Sequence, residues 1–305
     1  MSNEIVVINN LYKSYGDIVA LNDVNLIIRK GVEGLIGHNG AGKTTLISIL
    51  LGLRKANKGN ISFFGFDPWR EGYKIRKRVG VMHEKTYFPK NFTGREYLEY
   101  VCYFYGYDSV TVKRRVRELI DIIGLEEYID RKIGSYSAGM LQHLGLAQAL
   151  IGYPEFVILD EPTSNLDPVS RAMFLKLVER LYREEKINFL ISTHVLAELE
   201  RVCRYVHIIR KGKVIEEGLL MELAKKYVNE YTIICSDPVK LFDRLSSVLG
   251  HDNILLDENK IHLTTDNWPE LEKTVLSIAL EENIVINFLG PRYGFLEQIY
   301  RRVMD

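Results

Sequence analysis

The sequence predicts an α/β fold on a mostly parallel sheet, with its working site along one sheet edge, from three observations. The first is the stretch 35–51, LIGHNGAGKTTLISILL, which fits G-x-x-x-x-G-K-[ST] with Gly37, Gly42, Lys43 and Thr44, between a short apolar run and a helix-forming one. The second is the buried-strand run Phe156 to Leu159, which stops on two adjacent acids, Asp160 and Glu161. The third is another apolar run, Ile187 to Ser192, terminated by Thr193 and His194. Strands that alternate with helices and carry polar residues at their carboxyl ends place the site along that edge.

The first stretch is a phosphate site. In Gly37-His38-Asn39-Gly40-Ala41-Gly42-Lys43-Thr44-Thr45, Gly40 and Gly42 permit positive φ, so successive N–H groups bend inward toward one point. The helix that follows aims its amino-terminal amides and positive dipole end at the same point, which suits a triphosphate. Lys43 adds a point charge at the β and γ phosphates, and the Thr44 hydroxyl is placed to hold Mg²⁺. Asp160 can complete the Mg²⁺ shell and Glu161 can polarise an attacking water. A buried strand ending in two acids is costly without a cation. His194, at the end of the next buried strand, can reach the γ phosphate and orient Glu161 and the water.

The 305 residues hold one large domain plus a small one, and 40 Lys+Arg balance 40 Asp+Glu, so no global field draws the chain to nucleic acid or anionic lipid. The basic run Lys113 to Arg117 is interleaved with Val112, Val116, Leu119, Ile120 and Ile123, the pattern of a helix with one solvated face, and no nucleic-acid partner is expected. Cys102, Cys203 and Cys235 lack metal-ligand spacing and read as buried thiols in a reducing compartment. The start, MSNEIVVINN, has neither the basic nor the apolar region of a signal peptide. The longest uncharged stretch, Gly139 to Tyr153, is too short to span a bilayer, so a membrane partner must be another chain.

In chain order, residues 4–28 alternate apolar and polar around a turn at Tyr15 and Gly16, as in a small antiparallel layer, and Val32 to Ile36 is the strand that feeds the phosphate loop. The pattern from Phe63 to Arg78 is irregular. Thr93 and Glu96 form a capping box for a helix ending at Gly106, with Leu98, Val101 and Phe104 or Tyr105 on one face and a surplus of tyrosines. Helices follow at 111–123, closed by Gly124, and at 137–151, ended by Gly152 and Pro154. Asp167 and Pro168 launch another helix to about Glu185. A hairpin over Val206 to Glu217 and a helix from Leu219 to Tyr227 close a first domain, 1–227, whose helical part spans about 85–152. Residues 228–305 read βαββαβ plus a helix, a small α+β ferredoxin-like domain.

With these elements placed, the sequence resembles the ATP-binding subunits of ABC transporters over about residues 3–218. YSAGMLQ, Tyr136 to Gln142, is similar to the signature usually written LSGGQ, with Ser137, Ala138, Gly139 and Met140 at its centre. Ser164 to Asp167 resemble the D-loop, with Asp167 its acid, His194 the switch histidine, and Tyr15 the aromatic that stacks on adenine. Ala138 stands where the family often has glycine, Met140 replaces the usual glutamine, and Glu84 aligns with the customary Q-loop glutamine, where it can still help ligate Mg²⁺.

The resemblance implies a P-loop NTPase core that binds ATP and Mg²⁺ and hydrolyses ATP. Two such domains meet head to tail, each ATP held by one subunit's phosphate loop and the other's signature. One ATP-binding domain without fused spans, the form GHNGAGKTT and an ending with Phe295-Leu296-Glu297 are most like the separately encoded ATPase of an ABC-2 type exporter. That implies a second ATP-binding subunit, an integral membrane permease and a peripheral location on the cytoplasmic side of the membrane. The competing readings are a soluble ABC ATPase of translation or DNA maintenance, which commonly carries two such domains, zinc cysteines or coiled coils, and an importer ATPase.

Overall fold

A computed structural model describes residues 3–250 and 253–304. The chain divides into two compact units, Met1–Gly218 and Leu219–Asp305.

In the first unit β1 (Glu4–Tyr15) and β2 (Ile18–Arg29) form one antiparallel hairpin of two continuous strands. Their inward residues, among them Val6, Ile8, Leu11, Leu21 and Ile28, make a fully buried face. β3 (Val32–Ile36) then runs buried along its whole length into the phosphate loop and α1 (Lys43–Leu50). β4 (Lys58–Phe63) pairs with β1 and completes the small antiparallel layer, β2-β1-β4.

The stretch that reads as irregular is ordered. It contains α2 (Pro68–Arg76), capped by Asp67 and bent at Glu71, and leads into β5 (Val79–Met82). Helix α2 buries only Pro68, Gly72 and Ile75, too few apolar positions for a helical period to show.

The helical part holds α3 (Gly94–Phe104), α4 (Ser109–Ile123) and α5 (Ala138–Leu150). The capping box on α3 is present and Leu98 is buried as expected, but the rest of the buried face is Gly94, Tyr97 and Cys102 rather than Val101 and Phe104 or Tyr105. Tyr97 turns inward because its hydroxyl finds Gln148 at 2.7 Å, which leaves Phe104 to the surface. On α4 the apolar stripe is buried as the sequence requires, and Gly124 closes the helix at φ 66°.

β6 (Phe156–Asp160), α6 (Pro168–Glu184), β7 (Asn188–Thr193), α7 (Leu196–Val202), β8 (Tyr205–Arg210) and β9 (Lys213–Leu219) complete the unit. Its six-stranded sheet has the order β5-β6-β7-β3-β8-β9, parallel from β5 through β8. Ile36 pairs with Thr193 and Asp160 with Ser192, so the carboxyl ends of β3, β7 and β6 lie side by side. The β8–β9 turn, with Lys211 and Gly212 both at positive φ, braces the phosphate loop, where the Gly212 amide donates to the Ala41 carbonyl at 2.9 Å.

Toward the amino end of β3 the same sheet buries another charged cluster. His207 is fully buried and shares its two ring nitrogens between Glu33 and Glu217, each at 2.8 Å.

The second unit begins earlier than the sequence suggests. α8 (Leu220–Tyr227) belongs to it, because its buried Leu220, Leu223 and Ala224 pack with the last helix, α11 (Phe295–Met304). Between them run β10 (Glu230–Cys235), α9 (Pro238–Leu249), β11 (Ile254–Asp257), β12 (Lys260–Thr264), α10 (Trp268–Glu281) and β13 (Ile286–Pro291). The four strands are antiparallel in the order β11-β12-β10-β13, the ferredoxin-like arrangement. All three cysteines are free and buried, and burial pushes the Cys102 thiol up to about 11. Among the described residues no helix is long and apolar enough to cross a membrane.

Candidate functional site

The site is assembled at the carboxyl edge of β3, β6 and β7. Gly40 and Gly42 take φ of 81° and 112°, which turns the loop's amides toward the start of α1. A Cβ on Gly42 would lie 2.7 Å from the Ala20 carbonyl oxygen, so the loop closes there only with glycine. A cavity of about 340 Å³ opens in front, lined by His38, Asn39, Gly40, Gly42, Lys43, Thr44, Thr45, Glu84 and Glu161 on the phosphate side. The sequence reading missed Ile18, Val19 and Ala20, which complete the lining. The available signal was their position just after the turn that presents Tyr15. The Tyr15 ring is partly exposed near the Lys13 ammonium, at 5.0 Å, and the Arg54 guanidinium, at 5.3 Å.

Lys43 is buried, with its ammonium 2.5 Å from the Gly37 carbonyl oxygen and 3.2 Å from Glu161 Oε1. Glu161 Oε2 lies 2.8 Å from Nδ1 of His194, whose side chain is half exposed. The Glu161 backbone sits at φ 50°, a region uncommon for glutamate, and is held there as its N–H donates to the Ser192 carbonyl at 2.8 Å. The three residues that the sequence placed on separate elements therefore converge, with Glu161 between a cation and an imidazole.

Asp160 points its Oδ2 at the Thr44 hydroxyl, 3.4 Å away, while its buried Oδ1 has no hydrogen-bond partner among the described residues. Burial, reinforced by the neighbouring Glu161 carboxylate, pushes the Asp160 carboxyl above its usual range. A hard cation would reverse that cost, and Thr44 and Asp160 fit Mg²⁺, which takes one or two protein oxygens and completes its shell with phosphate and water. Among the described residues no group of three or more His, Cys, Asp or Glu is placed to hold a metal. Glu84 is exposed at the cavity's rim.

The signature residues lie outside this cavity's lining. Ser137 caps α5 by accepting from the Met140 amide at 3.2 Å, and its hydroxyl hydrogen remains available to donate outward. Ala138 is exposed and Gly139 half-buried at that helix start. Asp167 caps α6, accepting from the amides of Val169 and Ser170 at 3.0 and 3.1 Å.

Comparison with known proteins decides the family. A family model described as ABC transporter matches residues 21–164. The chain is 38% identical over 223 residues to the bacitracin transport ATP-binding protein BcrA of Bacillus licheniformis, covering 73% of this chain and 72% of that one. It belongs to the ABC transporter ATP-binding proteins.

Another relative, the Nod factor export ATP-binding protein I of Burkholderia orbicola (strain AU 1054), is 35% identical over 248 residues, covering 80% of this chain and 81% of its own. Among solved structures, cbiO1 from Clostridium perfringens, part of the ABC transporter complex cbiONQ, aligns with a TM-score of 0.68 at 26% identity, over 73% of this chain and 91% of that one. The ABC ATPase fold assigns the parallel sheet, the small antiparallel layer and the helical part to one ATP-binding unit.

Proposed function

We propose that this chain is the ATP-hydrolysing subunit of an exporter whose membrane-spanning permease is a separate protein. The observation that carries the reading is Glu161, held at positive φ with one carboxylate oxygen on His194 and the other on Lys43, at the mouth of the phosphate loop. In this reading a bound polyphosphate draws the Lys43 ammonium off Glu161, and the freed carboxylate, oriented by His194, polarises the attacking water. Tyr15 stacks on the adenine. Thr44 and Asp160, with Glu84 at the rim, hold Mg²⁺, which when bound offsets the charge of the β and γ phosphates.

Two ATP-binding subunits close on the nucleotide. Ser137, the Gly139 amide and the start of α5 face the γ phosphate held by the partner, and Asp167 lies near the same junction. ATP then joins the pair and hydrolysis opens it. The export assignment rests on what the relatives' names state, transport of bacitracin and export of Nod factor. The permease docks on the exposed aromatics of α3 and the loop before it, where Tyr87 and Phe104 are largely exposed and Phe92, Tyr100 and Phe104 stand edge to face.

The test is to purify tagged Glu161→Gln chain from native membranes in Mg-ATP and identify what accompanies it. Recovery of an integral membrane protein, lost on Tyr87→Ser with Phe104→Ser, is the expected result. Recovery of soluble factors alone would reject the transporter role and leave the ATPase reading intact.

A further inference from the structure

On the first unit, a second groove of about 400 Å³ lies between the start of β4 and the start of α2. Four cations line it, Arg54, Lys55, Lys58 and Arg70, all exposed, and the one lining carboxylate is Asp67. That carboxylate is spent on structure, because its Oδ1 accepts from the amides of Trp69 and Arg70 at 2.8 and 3.0 Å as the cap of α2. Arg54 and Lys58 lean toward the rings of Tyr15 and Tyr12, which brings them no opposite charge. In a chain whose charges cancel overall, the groove is a local concentration of positive potential.

The apolar groups beside it give the partner's character. Trp69 lines the groove and is 52% exposed, and Tyr73 one turn further along α2 is 58% exposed. Leu53, beside Arg54, is 59% exposed, and Gly52 next to it abuts the Pro68 backbone closely enough that a Cβ there would be 2.1 Å from the Pro68 oxygen. An indole, a phenol and an aliphatic side chain interleaved with Lys and Arg match the boundary of a bilayer, where headgroup phosphates meet acyl chains. A nucleic acid would call for a longer basic track, which the balanced charge of the chain does not offer.

We propose that this groove binds the phosphate headgroups of anionic lipid, with Trp69 and Leu53 entering the interface, so that the subunit touches the membrane directly as well as through a permease. The inference does not depend on the export reading, because it needs neither ATP hydrolysis nor a permease. Each cation near an anionic surface contributes about a fivefold increase in affinity, so removing two lowers it about 30-fold.

The experiment floats the full chain with permease-free vesicles of phosphatidylcholine alone or mixed with phosphatidylglycerol, and follows tryptophan emission. The expected result is binding to the anionic vesicles only, weakened by salt, with a blue shift that Trp69→Phe removes. Lys55→Gln with Arg70→Gln should lower affinity about 30-fold while Lys55→Arg with Arg70→Lys retains it, and ATP binding should be unchanged in both as the check on folding. Equal binding to both vesicle types, or to neither, overturns the proposal. So does Lys55- and Arg70-dependent binding of a short oligonucleotide or an acidic peptide in the absence of vesicle binding, which would assign the groove to that partner instead.

Discussion

Two glutamate–histidine pairs lie in the same six-stranded sheet, and both close at 2.8 Å, yet their surroundings differ. At the carboxyl edge Glu161 is strained at φ 50°, its Oε1 faces the Lys43 ammonium, Asp160 Oδ1 is without a hydrogen-bond partner among the described residues, and His194 is half exposed. Toward the other end His207 is fully buried with both nitrogens engaged, and Glu33 also accepts from the Arg29 amide at 3.0 Å. Buried polar groups that are satisfied hold a structure together. Those left short of partners mark where something else is to be bound.

The largest expected effect tests the open pair. Glu161→Gln keeps the shape and removes the charge, so hydrolysis should fall about 10³-fold with ATP affinity retained, measured as phosphate release beside nucleotide binding. Hydrolysis within a factor of three of wild type would move the catalytic role away from Glu161.

The closed pair should respond in stability instead. His207→Leu leaves Glu33 buried without its partner and should cost about 3 kcal/mol in denaturant unfolding, with the phosphate site still able to bind ATP. Adding Glu33→Gln removes the stranded charge while its oxygen still accepts from Arg29, and should recover most of the loss. Burial lowers the His207 value, but the hydrogen bonds its ring donates to Glu217 and Glu33 outweigh it and leave the imidazole above its ordinary 6.5. A raised folded value means the stabilisation is complete below pH 6.5 and fades as pH rises through the higher folded value. Wild type should therefore lose this increment on the alkaline side and His207→Leu should not.

His194→Ala, back at the open pair, should lower hydrolysis about 10²-fold and leave ATP affinity and stability close to wild type, since the half-exposed ring fills no core. A loss of stability as large as that of His207→Leu would make the two pairs alike and dissolve the distinction.

Most of the open pair was legible in the sequence and none of the closed one was. Asp160 and Glu161 end an apolar strand and Gly37 to Thr44 form a contiguous motif, so local pattern carries them. Glu33 sits inside the short strand 32–36, and only the placement of β8 between β3 and β9 brings His207 to it, across a sequence separation that no periodicity reports. The fold divides in the same way. The βαββαβ order of the tail was visible in alternating runs, whereas α2 and the assignment of α8 to the second unit depend on tertiary partners, Gly52 against the Pro68 backbone for one and α11 for the other. The face of α3 was misread for a related reason, because Tyr97 is buried by a hydrogen bond to Gln148 that hydropathy does not register.

The smallest effect distinguishes the two arms of the closed cluster. Glu217 lies on the edge strand β9 and its side chain is a third exposed, so water already shares its charge, whereas Glu33 is enclosed. Glu217→Gln still offers an oxygen to the ring and should cost about 1 kcal/mol, well below His207→Leu. It should also bring the imidazole's titration to lower pH, since one of the two carboxylates favouring the charged ring is gone. The alkaline loss of stability would then end at lower pH and be smaller than in wild type, as read from unfolding midpoints across pH 6 to 9. A cost matching that of His207→Leu would mean that the exposed arm, not the enclosed one, holds the strand in place.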